Sequence, residues 1–292
     1  MNKNKHDPGA SYDYHRNHDE GMIEANELPS CYVDPESIDA WLHNRLLDTV
    51  KPLLTAYPDA RWLTVGDGKY GSDAFYLQDA GADVTATSLS DVTLNRAKEL
   101  GYLKKGMSLN AESMDLDDNS YDFVVCKAAY HHFPRPPIAF YEMLRVCSKA
   151  VILIEPTDGS RKPMGIGKVL VKKVLNKETS GFEPSGNYIF KVNIDEISKM
   201  MTALNFESVS YRMMNEFYHK KLSHKPFSPG SFATITTKVG LAIQDLLCSL
   251  RLLNYGLSTF IAFKEPPNEQ AVESLSQLGF KHKKLPKNPY LL

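Results

Sequence analysis

The sequence predicts an α/β fold in which a mostly parallel sheet carries helices on both faces, and three observations lead to this prediction. Short apolar segments alternate with helical segments through the middle of the chain. One apolar segment runs directly into a glycine-rich loop. The chain has 292 residues, of which 42% are hydrophobic and 24% charged, so it can bury one large core. Strands that alternate with helices need crossover connections, and they therefore run parallel.

The elements follow one another in a regular order from residue 34. Asp34 is suited to cap a helix that starts at Pro35 and ends near Pro58, because apolar residues recur in it at spacings of three and four. The same reasoning predicts strands over residues 61–65, 83–87, 122–126, 150–155, 206–213 and 257–263. It predicts helices over residues 72–81, 90–100, 137–146, 194–204 and 232–253.

Three regions do not follow this alternation of strands and helices. Residues 1–33 are polar and show neither helical nor strand periodicity, so we predict an N-terminal tail or lid. Two insertions are expected at about 157–193 and 215–255 within a single domain that spans residues 34–264. Residues 265–292 form a C-terminal extension with a short helix and the basic stretch 281–284.

Composition and charge narrow the class of protein. The 34 Lys and Arg residues balance 35 Asp and Glu residues, so we expect no nucleic-acid partner. The longest apolar run covers residues 150–154, and we therefore expect no stable membrane insertion. The N-terminus lacks the apolar stretch of a signal peptide, and the four cysteines form no C-x-x-C pair. We expect a cytoplasmic monomer or homodimer with buried thiols and no metal site.

The glycine loop is the first candidate for a ligand site. Gly66, Gly68 and Gly71 follow the first strand with the spacing G-x-G-x-x-G. Glycine has no Cβ, so the backbone N–H groups of such a loop can approach a ligand closely. The spacing alone favours a dinucleotide such as NAD, and the alternative is a tight turn without a ligand.

Residues further along the chain favour a different cofactor. The run 110–126 and the segments 130–134, 141–146 and 151–156 resemble, in order and spacing, the later motifs of class I S-adenosylmethionine-dependent methyltransferases of the small-molecule type. The resemblance covers residues 60–156, and it implies a Rossmann-like, seven-stranded sheet with helical lid insertions. It also implies that S-adenosylmethionine is the cofactor.

The resemblance assigns cofactor contacts position by position. Gly66, Asp67 and Gly68 match the motif that wraps the methionyl part, with Gly71 at the end of the same loop. Ser88 and Leu89 match the ribose site at the end of the second strand. The family's adenine site falls at Asn110, Ala111 and Glu112, and its site facing the sulfonium falls at Cys126 and Lys127. Tyr14 is a candidate to face the sulfonium with its ring, or to pack in a lid.

Three residues depart from the family pattern. Thr64 stands where an acid often precedes the first glycine, Tyr70 replaces the third glycine, and Ser88 replaces the ribose-binding acid. A serine lacks the charge that strengthens a carboxylate as a hydrogen-bond acceptor. Asp67 or Asp91 are the candidates to supply the missing carboxylate. The missing acid at Ser88 also argues against NAD, which needs one there.

The chemistry indicates candidate catalytic groups. Methyl transfer is an in-line displacement, so alignment of the reactants supplies most of the catalysis, and a base is needed only for a hydroxyl or a protonated amine. His131 and His132 are candidate bases, with wall packing and backbone bonding as the alternative. Glu155 ends the strand predicted over residues 150–155 and either orients an acceptor or caps the insertion.

The methyl acceptor is predicted only as a class. Six basic residues with interspersed apolar residues occur over residues 161–177, which suggests a sugar or a phosphate-bearing metabolite, an anionic membrane surface or a plain solvated face. The leading hypothesis is methyl transfer to a small molecule. The alternatives are an S-adenosylmethionine-binding protein without catalysis and, third, an NAD(P)-dependent oxidoreductase.

Overall fold

An eight-stranded sheet organises the chain, which the computed structural model describes over residues 7–158 and 181–290. The strands are β1 (Arg61–Val65), β2 (Asp83–Ser88), β3 (Gly106–Ser108), β4 (Tyr121–Lys127), β5 (Cys147–Pro156), β6 (Ser208–Met214), β7 (Leu257–Phe263) and β8 (Lys281–Lys284). Their order is β3-β2-β1-β4-β5-β7-β6-β8. The five strands from β3 through β2, β1 and β4 to β5 pair in parallel, whereas β7 pairs antiparallel with both β5 and β6. This confirms the α/β class with a mostly parallel sheet.

The predicted count of seven strands is wrong by one. The eighth strand is the basic stretch Lys281–Lys284, and it pairs antiparallel with β6 at the sheet edge. An edge strand is exposed and often carries lysines that block further pairing, so it needs no apolar alternation. For that reason the pattern of residues 281–284 did not indicate a strand.

Helices cover both faces of the sheet, as predicted. They are α1 (Pro8–Glu24), α2 (Ser30–Val33), α3 (Ile38–Leu47), α4 (Lys51–Ala56), α5 (Ser72–Asp79), α6 (Val92–Glu99), α7 (Pro136–Val146), α8 (Ile194–Ala203), α9 (Lys220–Ser223), α10 (Phe232–Ser249) and α11 (Glu269–Gln277). Successive strand residues point to opposite faces. Trp62 therefore packs in the core layer that contains Leu77 of α5, and Leu63 packs in the layer that contains Phe140 of α7.

The first predicted helix starts later in the chain than predicted, and it is interrupted. Ser37, not Asp34, is the cap, and its side chain accepts a hydrogen bond from the Ala40 amide at 3.1 Å. A 3-10 turn, Asp48–Val50, separates α3 from α4. Pro52 lies in the first turn of α4 and lacks the N–H that a continuous helix needs.

Part of the region predicted as an N-terminal tail or lid is helical, although its sequence shows no helical periodicity. Pro8–Glu24 forms α1, which begins at the Asp7 cap and packs against α6. Ser11 and Asp19 are the buried residues of this helix, so it has no apolar stripe that a periodicity search would detect.

The two insertions are described in part. The basic stretch 161–177 lies outside the described residues. In the second insertion, α10 ends at Ser249 rather than at residue 253. Within the described residues, none of the helices combines the length and the apolar character that a bilayer crossing requires.

Candidate functional site

A cavity of about 510 Å³ opens at the carboxyl edge of the parallel strands. It is lined by the loops that follow β1, β2, β3 and β4, by α1 and by residues 183–184. Sheets of this kind bind ligands at the carboxyl ends of their strands, and the volume is typical of small-molecule sites. A second hollow of about 550 Å³ lies among the first residues of β1, β2 and β4, at the opposite edge. We therefore take the cavity at the carboxyl edge as the candidate site.

The glycine loop forms the floor of this cavity. Gly66 has φ +75°, and a Cβ there would lie 2.5 Å from the Cβ of Ala129. A Cβ on Gly68 would lie 2.9 Å from the Ser88 hydroxyl. Side chains at these two positions would clash with Ala129 and crowd Ser88, so glycine lets the loop pack closely against the other walls of the cavity.

Gly71 serves a different purpose in the same loop. It has φ +68°, and a Cβ there would lie 2.3 Å from the Leu103 side chain. It does not line the cavity but lets the start of α5 pack closely on the core. Tyr70 also adopts a positive φ of 57° and is buried, and its hydroxyl donates to the Met22 carbonyl of α1 at 3.1 Å.

Asp67 points away from the cavity into the start of α5. Its carboxylate accepts hydrogen bonds from the amides of Asp73 and Ala74 at 3.2 and 2.8 Å, and from the Thr64 hydroxyl at 2.9 Å. Burial raises the pKa of Asp67 to about 7, and the neighbouring Asp73 carboxylate adds to the effect. The carboxylate thus satisfies helix N–H groups that would otherwise lack partners.

An ion pair lies beneath the loop. The Lys127 ammonium is 3.0 Å from the Asp73 carboxylate, and the His43 ring lies 3.2 Å from the same oxygen. Burial alone would raise the pKa of Asp73, but Lys127 and His43 outweigh it and hold the pKa at about 2. Burial opposes the charge of Lys127 as well, yet the carboxylates around it raise its pKa.

Cys126 lies in the same interior layer. Its thiol is fully buried, and burial together with the Glu155 charge raises its pKa well above the ordinary value. Neither Cys126 nor Lys127 lines the cavity.

Glu155 is fully buried and clamps the loop after β4. One carboxylate oxygen accepts from the amides of Ala129 and Tyr130, both at 2.9 Å. The other lies 2.6 Å from Nδ1 of His131. Neither Glu155 nor His131 lines the cavity, so this pair holds the shape of the loop.

His132 lies on the other side of that loop and lines the cavity. Its Nδ1 is hydrogen-bonded to the Glu183 carboxylate, which also lines the cavity. Burial lowers the pKa of His132, and His131 adds to the effect, so the ring is neutral near pH 7. Nε2, the nitrogen that Glu183 does not occupy, is the one that a ligand proton can reach.

Residues 110–112 form a wall of the cavity. The Asn110 side chain accepts from the Glu112 amide at 2.9 Å. The Glu112 carboxylate accepts from the Arg135 amide and side chain, both at 2.6 Å, and from the Tyr12 hydroxyl at 2.7 Å. Glu112 thus anchors α1 and the loop after β4, and its acceptor capacity is largely used.

Helix α1 closes the cavity from above. The Ser88 hydroxyl donates to the Asp19 carboxylate of α1 at 3.2 Å. Asn187 donates to Ser11 and to the His132 carbonyl, both at 2.6 Å. Tyr14 lines the cavity with 40% of its surface exposed, beside the ring of His15.

The structure brings together eight of the predicted cofactor contacts and one predicted catalytic residue at the cavity. These are Gly66, Gly68, Ser88, Leu89, Asn110, Ala111, Glu112, Tyr14 and His132. Six other predicted residues do not line the cavity: Asp67, Gly71, Cys126, Lys127, His131 and Glu155. Asp91, a candidate for the missing carboxylate, does not line the cavity either.

Sequence reasoning did not place five polar residues that line the cavity: His15, His18, Asp19, Lys69 and Glu183. Lys69 lies inside the glycine motif, and this position is a signal by which it could have been predicted. No pattern distinguishes Asp19 from the other acids of α1, or Glu183 from the acids near it.

Part of the chain is similar to a known family of protein domains. Residues 63–154 match the family described as "Methyltransferase domain". The YcgJ protein of Bacillus subtilis has 17% identity and a TM-score of 0.50, over 77% of this chain and 100% of that one. No curated protein matches the chain.

Two further solved structures have similar coverage. A SAM-dependent methyltransferase of Thermotoga maritima, a possible histamine N-methyltransferase, has 17% identity and a TM-score of 0.48 over 84% of this chain and 98% of that one. Magnesium protoporphyrin IX methyltransferase of Synechocystis with bound SAH has 15% identity and a TM-score of 0.47, over 78% and 85% of the two chains. Likeness at such identities concerns the fold.

Proposed function

We propose that the chain is a class I S-adenosylmethionine-dependent methyltransferase and that the cavity under α1 holds this cofactor and a small-molecule acceptor together. The observation that carries the proposal is the floor at Gly66 and Gly68, two residues without side chains that line the cavity at the carboxyl edge of the sheet. Such a floor suits a ligand that lies flat against the backbone of a strand-to-helix loop.

Different residues of the cavity would contact different parts of the cofactor. Gly66 and Gly68 would contact its methionyl part, Ser88 and Leu89 its ribose, and residues 110–112 its adenine edge. The bound cofactor supplies an electrophilic methyl group on a sulfonium. Asp67, Lys127 and Glu155 act indirectly, because they fix the loops that carry these contacts.

The acceptor would lose its proton to His132. The ring is neutral near pH 7, it faces the cavity, and Glu183 holds its Nδ1 so that Nε2 is the acceptor atom. Glu183 would also stabilise the imidazolium that forms after proton transfer. An acceptor with a hydroxyl or a protonated amine fits this arrangement.

Sugars and phosphate-bearing metabolites are the first acceptor classes to test. Lys69, His15 and His18 give the cavity cationic or protonatable groups that suit an anionic or hydroxyl-rich molecule. The net charge of −1 offers no general attraction for nucleic acid.

Isothermal titration calorimetry tests the cofactor assignment. S-adenosylmethionine and S-adenosylhomocysteine are expected to bind with one site per chain, whereas NAD and NADP are not. The acceptor is then sought by incubating the protein with methyl-labelled cofactor and fractionated metabolites. Label that enters no fraction, despite cofactor binding, would favour a binding protein without catalysis.

A further inference from the structure

Asp19 is a buried carboxylate of α1 whose hydrogen-bonding capacity is mostly unused. Only 8% of its surface is exposed, and within the described part of the chain its one side-chain hydrogen bond comes from the Ser88 hydroxyl at 3.2 Å. Over residues 7–158 and 181–290, no cationic side chain lies within ion-pair distance of it. Burial raises the pKa of Asp19 to about 7, because few donors compensate for the lost water.

The position of this carboxylate is well defined. A Cβ on Gly68 would lie 3.1 Å from one Asp19 oxygen and 3.2 Å from the other. Asp19 therefore lies over the glycine loop and beside the end of β2, although it comes from a helix some seventy residues earlier in the chain.

The other two acids that line the cavity are held by different groups. Glu112 accepts hydrogen bonds from Arg135 and Tyr12, whereas one oxygen of Glu183 is bonded to His132 and its other oxygen is buried without a partner among the described residues. Of these three acids, Asp19 is the one that lies beside the end of β2.

We propose that Asp19 binds the ribose hydroxyls of the cofactor, with α1 delivering the carboxylate that β2 lacks at Ser88. A ribose presents two neighbouring O–H donors, and a carboxylate offers two oxygens that can accept them. The cofactor then links α1 to the end of β2, and its binding fastens the helix over the site. This inference rests on the proposed function, because it requires the cofactor in this cavity.

Calorimetry with S-adenosylhomocysteine tests the proposal through Asp19→Asn, with Glu20→Gln as the matched control on the exposed side of α1. We expect Asp19→Asn to weaken binding about 10- to 100-fold, equivalent to about 1.4–2.8 kcal/mol, and Glu20→Gln to leave it unchanged. Thermal unfolding without ligand checks that both variants fold.

Two further arms show whether the carboxylate acts on the ribose. In the double variant Asp19→Asn, Ser88→Asp, the acid is moved to the end of β2, and affinity should recover at least tenfold over Asp19→Asn. A 2′-deoxyribose analogue of S-adenosylhomocysteine should bind the wild type more weakly, and the loss caused by Asp19→Asn should shrink with it.

The outcomes separate the two proposals. A wild-type protein that binds no S-adenosylhomocysteine overturns the proposed function and this inference with it. A wild type that binds, together with an Asp19→Asn variant of equal affinity, overturns only the role of Asp19. The role is also overturned if the variant loses the same affinity for the ribose and deoxyribose ligands.

Discussion

Two histidine–glutamate pairs on opposite sides of the loop after β4 use similar chemistry in different surroundings. His131 and Glu155 form the interior pair, which is buried and bonded to loop amides. His132 and Glu183 form the cavity pair, which lines the candidate site. The residue type therefore does not decide the role. The face of the loop does, since adjacent side chains turn in different directions.

The largest expected effect is a loss of stability on removal of a buried charge from the interior. Lys127→Met removes the cation that is 3.0 Å from Asp73, and the buried carboxylate then keeps the His43 ring, whose own pKa is lowered by burial, as its described side-chain neighbour. We expect the free energy of unfolding to fall by about 3–5 kcal/mol. Urea denaturation measures it, with Lys199→Met at an exposed position of α8 as the control. A loss below about 1 kcal/mol would show that the ion pair is dispensable.

The interior pair should also be structural. Glu155→Ala leaves two loop amides and His131 without an acceptor, at about 1–3 kcal/mol for each buried group. We expect a destabilisation of about 3 kcal/mol in urea denaturation, and a smaller one for Glu155→Gln, which keeps one acceptor oxygen. Equal stability of the alanine variant and the wild type would contradict the role of a clamp.

The cavity pair should instead affect turnover. Once an acceptor is known, His132→Ala is expected to lower kcat at least about 100-fold with little change in unfolding, because general bases contribute about 10²–10⁴-fold. His131→Ala serves as the matched control, with a loss of stability as its main effect. If His132→Ala retains full kcat between pH 6 and 9, His132 is not the base.

A smaller effect concerns the pH dependence of stability. In the folded protein the pKa of Asp19 is raised from 3.8 to about 7, so the native state holds its proton between about pH 4 and 7. The free energy of unfolding therefore falls as pH rises through that window. Asp19→Asn removes this contribution, and we expect it to gain at least about 1 kcal/mol relative to the wild type between pH 5 and pH 8. Parallel profiles would show that the pKa of Asp19 is not raised.

Sequence reasoning succeeded where structure is local. Strands β1, β2, β4 and β5, the helices between them and the position of the glycine loop follow from periodicity and from glycine placement, whereas the short strand β3 was not predicted. It failed for α1, whose buried residues are Ser11 and Asp19, because polar contacts with distant segments hold that helix in place.

The candidate site was predictable only in part, for a related reason. The sequence indicates which loops end at the carboxyl edge, but not which side chains in them turn inward. Asp67, Lys127 and Glu155 all belong to those loops or strand ends, and each is directed into the interior by its hydrogen-bond partners. Glu183 and Asp19 approach from remote segments, which no spacing rule connects to the glycine loop.

A crystal structure with S-adenosylhomocysteine would locate the cofactor site directly. We expect the ligand in the cavity under α1, against the backbone of Gly66 and Gly68, with its adenine beside Asn110 and Ala111 and its ribose beside Ser88. Ligand density at the opposite edge of the sheet, or an empty cavity in a saturated crystal, would contradict it.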